Sequence, residues 1–136
     1  MKIDHLEVFV PDRREAAVWY GTVLGFEILR QHEHWAVEGG PLMISNDGGD
    51  TMLALFEGEP QGSHEVHGWR RLAFRVDAED LMTFLRSSSA WRDAPLGSAD
   101  VRDHGKAFSV YFRDPYGNLL EVTTYDYAAA SRLLGR

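Results

Sequence analysis

Two stretches of this chain repeat one pattern, and that repetition limits the folds open to it more than any other feature. In residues 3–10, Leu6, Val8 and Val10 fall on one side and His5, Glu7 and Phe9 on the other, the period-two signature of a strand with one apolar face. Pro11-Asp12 ends it, and Asp12 with Glu15 three positions later has the form of a capping box. Ala16, Trp19, Tyr20, Val23 and Leu24 then recur at helical spacing until Gly25, where the helix stops. Extended pieces are expected at 26–29, 35–37, 42–45 and 51–56, separated by Gly39-Gly40-Pro41 and Asn46-Asp47-Gly48-Gly49.

After a Gly-, Pro-, Ser- and His-containing linker at 58–68 the pattern starts again. Residues 70–76 predict a strand with Leu72, Phe74 and Val76 on its apolar face, and Asp77 and Asp80 start a helix carrying Leu81, Phe84 and Leu85. Strands are expected at 98–102, 107–113 and 118–124, the last two joined by Asp114-Pro115-Tyr116-Gly117, a tight-turn signal. A shift of 66 (71 − 5, 121 − 55) sets His5 on Arg71, Leu6 on Leu72, Leu55 on Glu121 and Phe56 on Val122. The expected fold class is α+β: two βαβββ units, at 1–57 and 69–126, whose curved mixed sheets form a cup, followed by a tail at 127–136 with a short helix over 127–134.

The chain has 136 residues, of which 44% are hydrophobic and 26% charged, enough for one domain with its own core. Fourteen Lys and Arg against 21 Asp and Glu give a net charge of −7, which disfavours nucleic acid and acidic membrane surfaces as partners. Cysteine is absent, so disulfide and thiolate chemistry are excluded. The charged start shows no leader-like apolar stretch, and a soluble cytoplasmic location is expected. There is no glycine-rich phosphate loop and no nucleophile elbow.

The residues Asp4-His5-Leu6-Glu7-Val8-Phe9-Val10, Trp19-Tyr20 and Val23-Leu24-Gly25-Phe26, then Leu72-Ala73-Phe74-Arg75-Val76, then Val110 through Val122, resemble the opening strand, turn and closing hairpin of the vicinal oxygen chelate superfamily, the group of glyoxalases, bleomycin-resistance proteins and extradiol dioxygenases. The resemblance covers nearly the whole chain. It implies a cup in which a divalent ion (Zn, Mn, Fe or Ni) is held by residues of the units' first and last strands. Here those places fall at His5, Leu55, Arg71 and Glu121. Small members use His, His and Glu, so His5 and Glu121 match and Arg71 takes the place of the second His.

A guanidinium offers no lone pair and carries a positive charge, and at an effective dielectric of about 20 it repels a nearby cation by several kcal/mol. Arg71 is therefore expected to pair with Glu121 in the cation's place. One reading is a metal-free cup that binds a small oxygen-rich or anionic molecule, with Arg71 as anchor and His5 as a hydrogen-bonding or acid–base group. A second is a metal-dependent lyase, isomerase or dioxygenase in which His5 and Glu121 act with a third ligand, His67 or His104. A third is a non-catalytic interaction protein with a vestigial cup. The resemblance further implies a homodimer. His32 and His34 are expected on one strand face and His64 and His67 in the linker. Phe9, Trp35, Phe56, Trp69, Phe108 and Tyr111 are candidate aromatic lining, whereas Trp19, Tyr20, Phe74, Phe84 and Trp91 are read as core or helix-to-sheet packing.

Overall fold

The computed structural model describes residues 3–59 and 71–136, and the chain divides into two compact units, Met1–Ser63 and His64–Arg136. The first unit contains β1 (His5–Val10), α1 (Arg13–Leu24), β2 (Glu27–Ile28), β3 (Leu42–Ser45) and β4 (Met52–Glu57). The second contains β5 (Leu72–Arg75), α2 (Ala78–Ser87), β6 (Arg102–Asp103), β7 (Phe108–Arg113), β8 (Leu119–Thr124) and α3 (Tyr127–Leu134). Each unit has one four-stranded mixed sheet, ordered β1-β4-β3-β2 and β5-β8-β7-β6. The first strand runs parallel to the last in both. A parallel pair needs a crossover, and α1 or α2 begins that path. This is the α+β, βαβββ repeat expected from the sequence.

Both helix starts follow from their caps. Asp12 accepts from the backbone N–H groups of Arg14 (2.8 Å) and Glu15 (2.9 Å), and Asp77 accepts from that of Asp80 (2.8 Å), satisfying donors that a first turn leaves open. Gly25 closes α1 at φ +70°, a left-handed conformation that favours glycine. On α1 the buried residues are Ala16, Ala17, Tyr20 and Val23. Tyr20 meets Trp19 and Phe26 edge-on, with centroids 5.2 and 5.8 Å away. On α2, Leu81, Phe84 and Leu85 are buried, each contributing about 1.5–3 kcal/mol of transfer free energy. Phe84 joins Trp91 and Phe112 in a three-ring cluster with centroids 5.2–5.7 Å apart.

The structure corrects four sequence expectations. Residues 35–37 form no strand: Arg30–Trp35 is a 3-10 turn, and His32 and His34 do not share a strand face. Three residues per turn eclipse positions i and i+3, so His32 lies flat against Trp35, centroids 4.3 Å apart and 5° from parallel. The strand expected at 98–102 is a 3-10 turn at Ser98–Asp100 followed by the two-residue β6. Phe108 is fully buried and stacks on Tyr127 at 4.7 Å, so it belongs to the core rather than to a cup lining.

The fourth correction concerns the repeat itself. Leu6 pairs with Leu53 and Leu72 with Leu120, so the last strands are offset by 67 (120 − 53) while the first strands keep 66. Glu121 therefore corresponds to Ala54, not to Leu55. A one-residue slip exchanges the faces of a strand, and Leu55 is fully buried on the face it shares with Val8 and Leu42.

The tail helix α3 is tied to the second unit by Tyr127, whose hydroxyl reaches both carboxylate oxygens of Asp103 at 3.0 and 2.8 Å. The Gly105 backbone N–H and the Tyr127 hydroxyl hold the Asp103 carboxyl below its ordinary value, and the same bond raises the Tyr127 hydroxyl above its own. Among the described residues no helix is long and apolar enough to cross a membrane.

The register of β7 on β8 is set at the turn between them. The Gly117 N–H donates to the Asp114 carbonyl (3.2 Å), with Gly117 at φ +87°. The buried Asp114 carboxylate accepts from the backbone N–H groups of Tyr116 (3.0 Å) and Asn118 (2.8 Å), and from the Asn118 side chain (2.7 Å). Replacing Asp114 by Ala leaves those donors without their acceptor and is expected to cost about 2–4 kcal/mol, lowering Tm by about 5–15 °C. Thermal melts followed by circular dichroism measure this. A fall under about 2 °C would mean that the turn does not depend on the carboxylate.

Candidate functional site

Period-two alternation sorts the second sheet into two faces. Leu120, Val122, Val110 and Phe112 are buried on one, while Tyr111 and Glu121, direct cross-strand partners, stand on the other. Ala73 pairs with Glu121 on its second side and adds no bulk beside the carboxylate. Arg71, one residue ahead of β5, reaches this face. Its guanidinium carbon lies 4.2 Å from the Tyr111 ring centroid, and its Nη1 lies 3.8 Å from Glu121 Oε2. His104 Nε2 is 2.8 Å from the Tyr111 hydroxyl.

The Arg71 and Glu121 side chains are 26% and 17% exposed, so their attraction is screened less than that of a surface pair. At 3.8 Å the contact is nevertheless longer than a hydrogen bond. The cation is held by a ring face and a charge, neither of which uses its directional donors. Arg71 Nε is buried and has no hydrogen-bond partner among the described residues. Such a group is uncommon in folded proteins and calls for an acceptor.

In the first unit, His5, Glu7 and Phe9 are exposed while Val8 and Val10 are buried, as the alternation requires. His5 Nδ1 lies 2.8 Å from Asp4 Oδ2, and its Nε2 lies 3.9 Å from Glu7 Oε1. These residues border a cavity of about 400 Å³ whose lining includes Met43, Met52, Ala54 and Phe56 from β3 and β4, and His32 and Trp35 from the 3-10 turn. The volume lies within the range of small-molecule sites, about 300–1,000 Å³.

Of the site residues expected from the sequence, Arg71 and Glu121 lie 3.8 Å apart, beyond the charge-assisted hydrogen bond expected of them, and Tyr111 and His104 complete a four-residue cluster. His5 is part of the first unit's cavity. His64, His67 and Trp69 lie outside the described residues, as does the linker over 60–68. Two contributors went unread. Ala54 was hidden by the one-residue offset of the repeat. Arg13, in the first turn of α1, resembles a solvated helix charge, yet it donates to the carbonyls of Val37 and Gly40 and to Glu57 Oε1. Only the folded path of residues 36–41 reveals that role.

Among the described residues the donors are not arranged to hold a divalent ion: no three His, Cys, Asp or Glu side chains are grouped to do so. Both His5 nitrogens face neighbouring carboxylates, His104 Nε2 faces a phenol, and the carboxylate of Glu121 faces a fixed cation.

The architecture and the sequence agree on the family. The model of the Glyoxalase/Bleomycin resistance protein/Dioxygenase superfamily matches residues 2–122, and the chain belongs to that superfamily. Three solved structures share its fold. A glyoxalase/dioxygenase from Nostoc punctiforme is 22% identical with a TM-score of 0.67, over 91% of this chain and 90% of its own. TnmS3, an antibiotic binding protein from Streptomyces sp. CB03234, is 22% identical with a TM-score of 0.65, over 92% and 96%. The fosfomycin resistance protein FosX from Listeria monocytogenes, in a complex with Mn(II) and a sulfate ion, is 14% identical with a TM-score of 0.64, over 97% and 96%.

The 3.8 Å separation of Arg71 and Glu121 makes their coupling modest. A double-mutant cycle with Arg71→Met and Glu121→Gln, read by urea denaturation, is expected to give about 0.5–1 kcal/mol. A coupling above about 2 kcal/mol would contradict this geometry and indicate a directly hydrogen-bonded pair.

Proposed function

We propose that this protein binds a small, oxygen-rich or anionic molecule with Arg71 as its anchor, and that no divalent ion occupies the place that Arg71 fills. The observation that carries this reading is the buried Nε, without a hydrogen-bond partner among the described residues, of a guanidinium already fixed against Tyr111 and Glu121. A preorganised fork of N–H donors matches a carboxylate or phosphonate in two-point contact, and holding it in place before binding reduces the ordering cost. Glu121 limits the net positive charge, which favours ligands that also offer a hydroxyl or a protonated oxygen.

The chain's superfamily contains both kinds of relative described above, an antibiotic binding protein and a resistance protein complexed with Mn(II). The second supports the alternative, a metal-dependent lyase, isomerase or dioxygenase using His5 and Glu121 with His67 or His104. Titration calorimetry with oxalate separates the readings, with neutral oxamide as control, on untagged protein before and after chelator treatment. One-site oxalate binding, unaffected by the chelator and weakened at least about tenfold by Arg71→Met, is expected. A stoichiometric transition metal lost on His5→Ala would establish the alternative. Absence of oxyanion binding, or binding indifferent to Arg71→Met, would overturn the proposal and favour the interaction-protein reading.

We further propose that the protein works as a homodimer. Light scattering is expected to give a mass near twice the 15.4 kDa of one chain, and a mass near one chain would refute it.

A further inference from the structure

The cavity of the first unit has a chemistry unlike that of the Arg71 cluster. One wall is the Trp35 indole, backed by the parallel His32 ring at 4.3 Å and still 43% exposed. Met43 and Phe56 line it from the sheet, and Asp4 and Glu7 lie at its border, 70% and 65% exposed. No Lys or Arg is among the described residues that line it. We infer that this cavity is a binding site for a flat aromatic cation, a charged nitrogen heterocycle of two or three rings.

Each part of that description rests on a separate feature. Flatness follows from the indole, whose ring plane is set in advance by stacking on His32; offset stacking rewards a second flat ring. Apolar and polarizable character follows from Met43 and Phe56, since thioether sulfur makes favourable contacts with aromatic rings. Positive charge follows from two carboxylates with no opposing Lys or Arg among the described lining residues, and from the indole face, the strongest cation–π partner among side chains. His5 lies between the two carboxylates, so they keep a net negative border.

The wall is also fixed rather than assembled on binding. Arg13 holds the Val37 and Gly40 carbonyls immediately after the 3-10 turn. At Gly40 the chain passes so close to Trp35 that an added Cβ would lie 2.0 Å from the Trp35 carbonyl oxygen, an approach open only to glycine. A wall held before binding retains affinity that would otherwise be spent on ordering.

Titration calorimetry of the full chain carrying Arg71→Met, which removes the oxyanion anchor proposed above, with N-methylquinolinium, a bicyclic cation, and naphthalene-2-sulfonate, a bicyclic anion, tests the proposal. One cation is expected to bind per chain with a Kd of about 1 mM or tighter, with the anion at least about tenfold weaker. Trp35→Ala should weaken the cation about tenfold, and Trp35→Phe should restore part of the loss. Asp4→Asn combined with Glu7→Gln should narrow the preference over the anion while leaving binding of neutral quinoline unchanged. Unchanged far-ultraviolet dichroism establishes that each variant is folded; should Trp35→Ala fail to fold, Trp35→Phe and the charge pair carry the test. Equal affinity for cation and anion, no saturable cation binding at about 5 mM, or folded variants with unaltered affinity would overturn the proposal.

Discussion

The arrangement of both units depends on one pairing constraint: the first strand lies parallel to the last. No tight turn can join such strands, so a helix begins the crossover and the remaining strands return by antiparallel steps. The pairing puts the last strand in the interior of each sheet, with a neighbour on both sides. Its outward-facing residues are therefore flanked by side chains from two other strands. Glu121 sits between Ala73 and Tyr111 for that reason, and Ala54 between Glu7 and Met43.

The two units use this common frame differently. Where the second carries a carboxylate at Glu121, the first carries a methyl group at Ala54. Where the second opens with Arg71, the first opens with His5. The result is a charged, partly satisfied cluster in one and an aromatic, methionine-lined cavity with an acidic border in the other. The divergence lies on the faces away from the helices; the helix-packed faces of both sheets remain mainly aliphatic and aromatic, with Thr124 buried among them.

Much of this was legible in the chain because the signals were local. Alternation in 5–10 and 119–124, aspartates at the helix starts, and the Asp114–Gly117 turn all act within a few residues of themselves. The pairing of Arg71 with Glu121 could be anticipated as well, since both positions carried over from the family resemblance and their charges are opposite. What escaped depended on geometry that no short window encodes. Residues 30–35 hold an aromatic and two histidines at spacings that suit a strand, but the stacking of His32 on Trp35 belongs to a 3-10 turn. The difference between shifts of 66 and 67 arises somewhere between the first and last strands, and it became visible only through the paired residues. Arg13 shows the same limit, because its acceptors lie 24 and 27 positions away.

Arg13 also has a bearing on how this scaffold could diversify. One guanidinium joins the start of a helix, the end of a central strand through Glu57, and the carbonyls of the segment that carries the indole wall. Changes of length in residues 36–41 would break that three-way clasp, whereas changes of side chain at Trp35, Met43 or Phe56 would leave it intact. New specificities are thus open to point substitution on the cavity floor but closed to insertions in the segment beside it.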